Sequence, residues 1–270
     1  MAQGDKRNSQ DNSGPNKKRS GSRQSVAAAR QMSAGQNRTQ LIIGGIAIVV
    51  IIAIIVIGLV MNKKQNAVQS EGYGRSTQSV ATATNGIVTV SKAGATPAVT
   101  IDLYEDALCP ICGEFEQQFG QQVNQAIDDG KLSVNVHMLN FLNAHSFSKD
   151  YSTRAAAALL CVAEQDGSTP GAYLAFHSAL FAAGTQPAES GSSDLTNQQL
   201  ADLASKSGAP NAAGCITSGQ NINAAIAADT ASRATLSKAT GGQVQTPTVV
   251  HNGTPVQLSV DWLTTLLGQG

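Results

Sequence analysis

The chain has 270 residues, 18 basic against 18 acidic side chains, and four cysteines. That length allows one large domain or two small ones. With no glycine-rich phosphate loop and no Ser–His–acid constellation, nucleotide-loop and serine-hydrolase chemistries are excluded.

The charge balance conceals an uneven layout. Before residue 41 eight basic residues face two acids, while beyond residue 61 ten face sixteen. Residues 1–40, rich in Ser, Gln, Asn, Gly and charge, read as a disordered basic tail. Its KKRSGSR run suggests nucleic acid in isolation, but beside the apolar run at 41–61 it reads as an orientation signal. That run, LIIGGIAIVVIIAIIVIGLVM, carries no charged or strongly polar side chain. As a helix rising about 1.5 Å per residue it spans a hydrocarbon layer roughly 30 Å thick. The long preceding tail and the length of the apolar run exclude a cleaved signal peptide. Basic residues stay on the cytoplasmic side, so the predicted layout is a single-pass cell-membrane anchor with a cytoplasmic N-terminus. The rest of the chain, with all four cysteines, is then extracytoplasmic, where disulfides persist. Polar residues 62–85 read as a flexible tether.

Order is expected from Gly86. GIVTV (86–90) and the alternating, β-branched AVTIDLY (98–104) are strand candidates. Cys109-Pro110-Ile111-Cys112 follows at once, with Pro110 suited to a first helical turn. Phe115, Phe119, Val123 and Ile127 recur every four residues until Asp128-Asp129-Gly130 stops the helix. LSVNVHML (132–139) alternates again, so strand, helix and strand imply a parallel pair with a right-handed crossover. Between about 150 and 240, Ala-rich segments predict a helical insert of about four helices. QTPTVVHNGTPVQLSV then reads as two strands around Asn252-Gly253, and Asp261 caps a last helix.

A cysteine at a helix N-terminus meets unpaired N–H groups and the positive end of the macrodipole, which favour a thiolate. Cys109 is thus the candidate exposed nucleophile, and Cys112, one turn further and nearer the body, the resolving thiol. A CxxC between a strand and an amphipathic helix is a far stronger signal than the motif alone.

This arrangement resembles the thioredoxin superfamily, and specifically its DsbA-like branch of extracytoplasmic thiol–disulfide oxidoreductases, over roughly residues 86–270. LYEDALCPIC matches the strand-to-active-helix junction. STRAAAALLCVAEQ, AFHSALF and LADLASKSG match the helical insert, and QTPTVVHNGTPV matches the cis-proline segment. The resemblance implies an α/β thioredoxin-like fold with an inserted helical subdomain. It also implies a cis Thr246–Pro247 bond facing Cys109, leaving the Thr246 backbone to pair with an extended substrate chain. Family members commonly carry a buried acid six residues before the first cysteine, where this chain has Leu103. Glu105 shares its strand parity and is the candidate proton acceptor for Cys112, the alternative being a solvated strand-end residue. Ile111 stands where a histidine often supports the thiolate, which implies a less extreme oxidant, or an isomerase or reductase.

Cys161 and Cys215 read either as a second redox relay or as a structural disulfide; apolar helical surroundings and the matched cysteines of related proteins favour the disulfide. His137, His145, His177 and His251 read as surface or satisfied core residues, with no metal-ligand spacing. The expected activity needs no cofactor or metal. Exported proteins with thiols or disulfides are the implied substrates, and a quinone-linked membrane oxidase of the DsbB or vitamin K epoxide reductase (VKOR) type the implied recycling partner. The rival readings are a Cu(I)-binding delivery module, since soft thiolates suit that ion, and a non-catalytic chaperone using the same groove.

Overall fold

The computed structural model describes residues 73–268. The predicted tail, the span at 41–61 and the first part of the tether lie outside the described residues. Among the described residues, no helix is long and apolar enough to cross a membrane.

Six strands form one mixed sheet: β1 (Ser79–Thr84), β2 (Ile87–Lys92), β3 (Val99–Glu105), β4 (Leu132–Met138), β5 (Thr248–His251) and β6 (Thr254–Pro255). Their spatial order is β1-β2-β4-β3-β5-β6. β3 and β4 run parallel, with Val99 opposite Leu132 and Glu105 opposite Met138, and the other neighbouring pairs are antiparallel. The β3–β4 crossover is α1 (Pro110–Asp128), whose Phe115, Phe119, Val123 and Ile127 are all buried. Phe119 meets Trp262 edge-on at 6.1 Å, so the final helix, α7 (Trp262–Leu267), packs on the active helix. Asp261 occupies the N-cap of α7 without a side-chain capping bond; its carboxylate instead accepts from Ser259 Oγ at 2.7 Å.

Order starts earlier than Gly86. Residues 79–84, read from sequence as tether, form β1 and pair with β2 through a two-residue turn at Asn85-Gly86, both at positive φ. That dipeptide is a strong hairpin signal. The strand it closes, SVATAT, lacks large β-formers, and its small residues disguise it as linker.

Five helices separate β4 from β5: α2 (Tyr151–Gln165), α3 (Ala172–Leu180), α4 (Asn197–Lys206), α5 (Ala213–Ser218) and α6 (Ile222–Ala239). Sequence periodicity anticipates four of them, and the short α5 is the addition. α2 is buried almost all round, and its run of alanines lets α3 and α6 approach closely. His137 is a satisfied core residue, bonded to Ser232 of α6 at 2.9 Å and to Asp102 at 3.2 Å.

The segment entering the domain is held by Asp128, at the end of α1. Its carboxylate accepts from Tyr73 Oη at 2.8 Å, Ser76 Oγ at 2.6 Å, and the backbone N–H groups of Thr77 and Gln78 at 2.8 and 3.2 Å. Burial pushes the Asp128 pKa up, but the bonds from Ser76, Thr77 and Tyr73 outweigh it and hold the group below its ordinary 3.8. A carboxyl depressed in this way stabilises the fold fully above its unfolded value and loses that contribution as pH falls through the folded one. Asp128→Ala is expected to release residues 73–78 and to cost roughly 2–3 kcal/mol. Hydrogen exchange at Thr77 and Gln78, with denaturant unfolding, checks this; acidification below the ordinary Asp range should mimic the substitution.

Candidate active site

The polar end of α1 is built from three chain segments. Cys109 is its N-cap and Pro110 its first residue, where the missing N–H costs nothing. The loop before it is fastened by Asp106, which accepts from Leu108 N at 3.0 Å and from Leu142 N at 3.1 Å. The third segment precedes β5, where the Thr246–Pro247 bond is cis. The Thr246 carbonyl lies 3.5 Å from Cys109 Sγ.

Cys109 and Cys112 are free thiols, and their environments differ sharply. Cys109 is 7 % exposed, so it is not the open nucleophile expected from sequence; the Thr246 segment sits against it. The hydrogen bond from the Cys112 thiol lowers the Cys109 pKa most, and the N–H groups of Cys112 and Ile111 add to it. Together they overcome burial and bring the thiol from 9.0 to about 7. Cys112 is fully buried, and burial, the bond it gives Cys109 and the Glu105 charge push its pKa well up. One thiol is therefore ionised near neutrality while the other stays protonated, the division of labour that dithiol exchange requires.

Glu105, at the end of β3, is fully buried. The structure thus sets aside the solvated strand-end reading, although Leu103 two residues earlier is ordinary core. Its Oε2 lies 2.9 Å from His177 Nε2 of α3, and His177 Nδ1 lies 3.5 Å from Glu116 Oε2 of α1. Burial raises the Glu105 pKa most and Glu116 adds to it, while His177 works against them, leaving about 7. Burial opposes charge on His177, but Glu116 and Glu105 outweigh it and push its pKa to about 10. Among the described residues these three side chains also bring ligand atoms within 4.8 Å of one another, close enough for a metal ion. An imidazolium already answers both carboxylates from its two ring nitrogens, however.

Gln186, following α3, donates to the carbonyls of Cys109 at 2.9 Å and Ala107 at 3.2 Å. It can do so because residue 113 is glycine: a Cβ there would stand 2.2 Å from Gln186 Oε1. Neither His177 nor Gln186 is singled out by the sequence, since each reaches the motif from the helical insert. A disulfide joins Cys161 of α2 to Cys215 of α5, with Cα atoms 5.7 Å apart. It belongs to the insert.

A thioredoxin family model matches residues 91–267. The serine/threonine-protein kinase PknE of Mycobacterium tuberculosis is 40% identical over 172 residues, 63% of this chain but only 30% of the kinase. The chain thus spans less than a third of the length of the curated relatives it matches. Among solved structures, the reduced disulfide bond oxidoreductase DsbG of Mycobacterium tuberculosis is 33% identical, covering 67% of this chain and 85% of that one, with a TM-score of 0.56. Oxidised DsbA from Mycobacterium tuberculosis is 34% identical over 71% of this chain and 91% of its own, with a TM-score of 0.55. Matched along most of the domain, from strand β2 to the last helix, the chain belongs to the thioredoxin family, among its DsbA-like thiol–disulfide oxidoreductases.

Proposed function

We propose that this chain is a membrane-anchored oxidoreductase that forms or rearranges disulfides in exported proteins through Cys109 and Cys112. The observation that carries the reading is the Cys109 sulfur at the N-cap of α1, facing the Thr246 carbonyl and ionising at about 7. In the oxidising direction a substrate thiolate attacks the Cys109 sulfur of the Cys109–Cys112 disulfide and displaces Cys112, which takes a proton. A second substrate thiolate then attacks the mixed disulfide, and Cys109 leaves as a stabilised thiolate. Two electrons pass from substrate to enzyme. The Thr246 backbone, beside the cis-proline, is placed to pair with an extended substrate strand. Glu105 supplies the proton that Cys112 takes in this direction and accepts it from Cys112 when the Cys109–Cys112 disulfide re-forms.

The apolar run at 41–61 and the basic tail before it support an anchor that leaves the catalytic domain outside the cytoplasmic membrane. Recycling then falls to a quinone-linked membrane oxidase of the DsbB or VKOR type. A Cys109 thiol near 7 resembles the value of about 7 for thioredoxin far more than the roughly 3.5 of a strongly oxidising DsbA. The protein is accordingly read as a less extreme oxidant, or an isomerase or reductase.

Iodoacetamide labelling of Cys109 against pH tests the core of this reading. The rate should reach half its maximum near pH 7, stay high above it and vanish below it, because the thiolate alone reacts. A midpoint at the ordinary thiol value near 8.5, or tight Cu(I) binding without dithiol turnover, would remove the proposal.

A further inference from the structure

The pocket behind the motif holds more ionisable groups than thiol exchange needs. One acid suffices to receive the Cys112 proton, yet Glu105 is followed by His177 and then by Glu116, in contact one after the other. They come from β3, α3 and α1. Glu105 is wholly buried and His177 nearly so, whereas Glu116 retains 8 % side-chain exposure. Among the described residues, Glu105 Oε1 is buried with no hydrogen-bond partner, so His177 is the one group that answers this carboxylate. The other titratable groups whose charges act in the pocket are Cys109 and Cys112 of the motif and Tyr173, one turn before His177. Tyr173 is fully buried and stays neutral, since burial raises its pKa well above 10. Cys112 is protonated in the reduced protein. Hence the charge balance at Glu105 is decided by His177 and Glu116, with Cys109 as the remaining anion.

We infer that His177 and Glu116 are positioning residues which set, with opposite signs, the readiness of Glu105 to take the Cys112 proton. This rests on the proposed thiol exchange and adds a control exerted by the helical insert. The step concerned is the resolution of a mixed disulfide on Cys109. Cys112 passes its proton to the Glu105 carboxylate, and its sulfur attacks Cys109 Sγ. The Cys109–Cys112 bond forms, the bond to the substrate sulfur breaks, and the substrate leaves as a thiolate that water protonates. In this step the Cys112 sulfur rises from thiol to disulfide level and the substrate sulfur falls from disulfide to thiolate level, while Cys109 stays at disulfide level throughout. The step is fast only where Glu105 is ionised. Without the imidazolium, two carboxylates face each other in a dry pocket and Glu105 keeps its proton to higher pH. Without the Glu116 charge, Glu105 retains its cation, loses its repelling neighbour and ionises at lower pH. A nearby charge of this kind moves a carboxyl by about one to three pH units.

The test uses the whole chain carrying glutathione on Cys109 as a mixed disulfide, with glutathione release followed against pH. The Glu105 carboxyl is titrated in parallel by carbon-13 NMR in the reduced protein. His177→Gln should move both midpoints up by at least about one pH unit, and Glu116→Gln should move both down. His177→Lys, which restores a cation, should return them toward the parent. Shifts in the same direction, or no shift, would overturn the inference, because a merely structural disturbance has no reason to reverse sign. A parent profile that changes on adding EDTA would also overturn it, since a metal ion would then be the counter-charge. If the parent releases no glutathione at any pH, the proposed activity fails by itself. The NMR midpoints still decide whether His177 and Glu116 govern Glu105.

Discussion

Cys109→Ser is expected to abolish thiol–disulfide exchange, whereas Cys112→Ser is expected to leave a protein that attacks disulfides and then stalls. The asymmetry arises from the two environments. Cys109 is the sulfur whose negative charge is supported by the Ile111 and Cys112 N–H groups, and no other thiol among the described residues can replace it. Cys112 is free as well, but its pKa is pushed up by burial and by the Glu105 charge. It attacks only a sulfur already bonded at Cys109. A serine hydroxyl at 109 is scarcely ionised near neutrality, so turnover of a dithiol substrate should fall by on the order of a thousandfold or more, as for loss of a nucleophile elsewhere. Cys112→Ser should lose turnover to a similar extent, yet accumulate one glutathione per chain when offered glutathione disulfide. Intact-mass measurement after acid quenching separates the two results. Equal accumulation on both variants, or turnover surviving in Cys109→Ser, would reassign the nucleophile.

What the sequence reveals about this site depends on how local each part is. The strand-to-helix junction is legible because AVTIDLY, Pro110 and the Phe115–Phe119–Val123–Ile127 stripe are neighbours along the chain. The Asp128 clasp is not: in sequence Asp128 reads only as a helix stop, and its partners lie in a polar segment about fifty residues earlier. His177 is 72 residues from Glu105, and on its helix it shows the spacing of any core residue. Glu116 likewise reads as one more acid on the polar face of α1. Only packing the insert against the active helix turns these three separate and ordinary residues into a charge network. The missed β1 has another cause, since small residues carry little β signal and the informative part is the turn just after them. Periodicity reports burial faces well; it carries no account of which buried polar groups meet.

Breaking the insert's disulfide should change stability greatly and exchange hardly at all. Cys161 and Cys215 close a loop of 54 residues in sequence separation, between α2 and α5. On the chain-entropy model a cross-link of that span removes about 4 kcal/mol of freedom from the unfolded ensemble. Cys161 lies on the most buried helix of the insert, so Cys161→Ala also removes a packed sulfur, and the cavity left behind adds to this loss. For a domain of this size each kcal/mol corresponds to about 2–4 °C in Tm, which makes the fall expected from the lost cross-link alone roughly 8–16 °C. The motif is affected differently. The pair joins α2 to α5, and the groups that tune the motif from the insert, His177 and Gln186, lie on or just after α3. Calorimetry of Cys161→Ala and of Cys161→Ala/Cys215→Ala should therefore show the loss in Tm. Well below the transition, both variants should keep the parental pH profile of Cys109 alkylation. If turnover disappeared while Tm held, the pair would be a redox relay, and electrons would have to travel from α2 to the tip of α1 by a path these contacts do not provide.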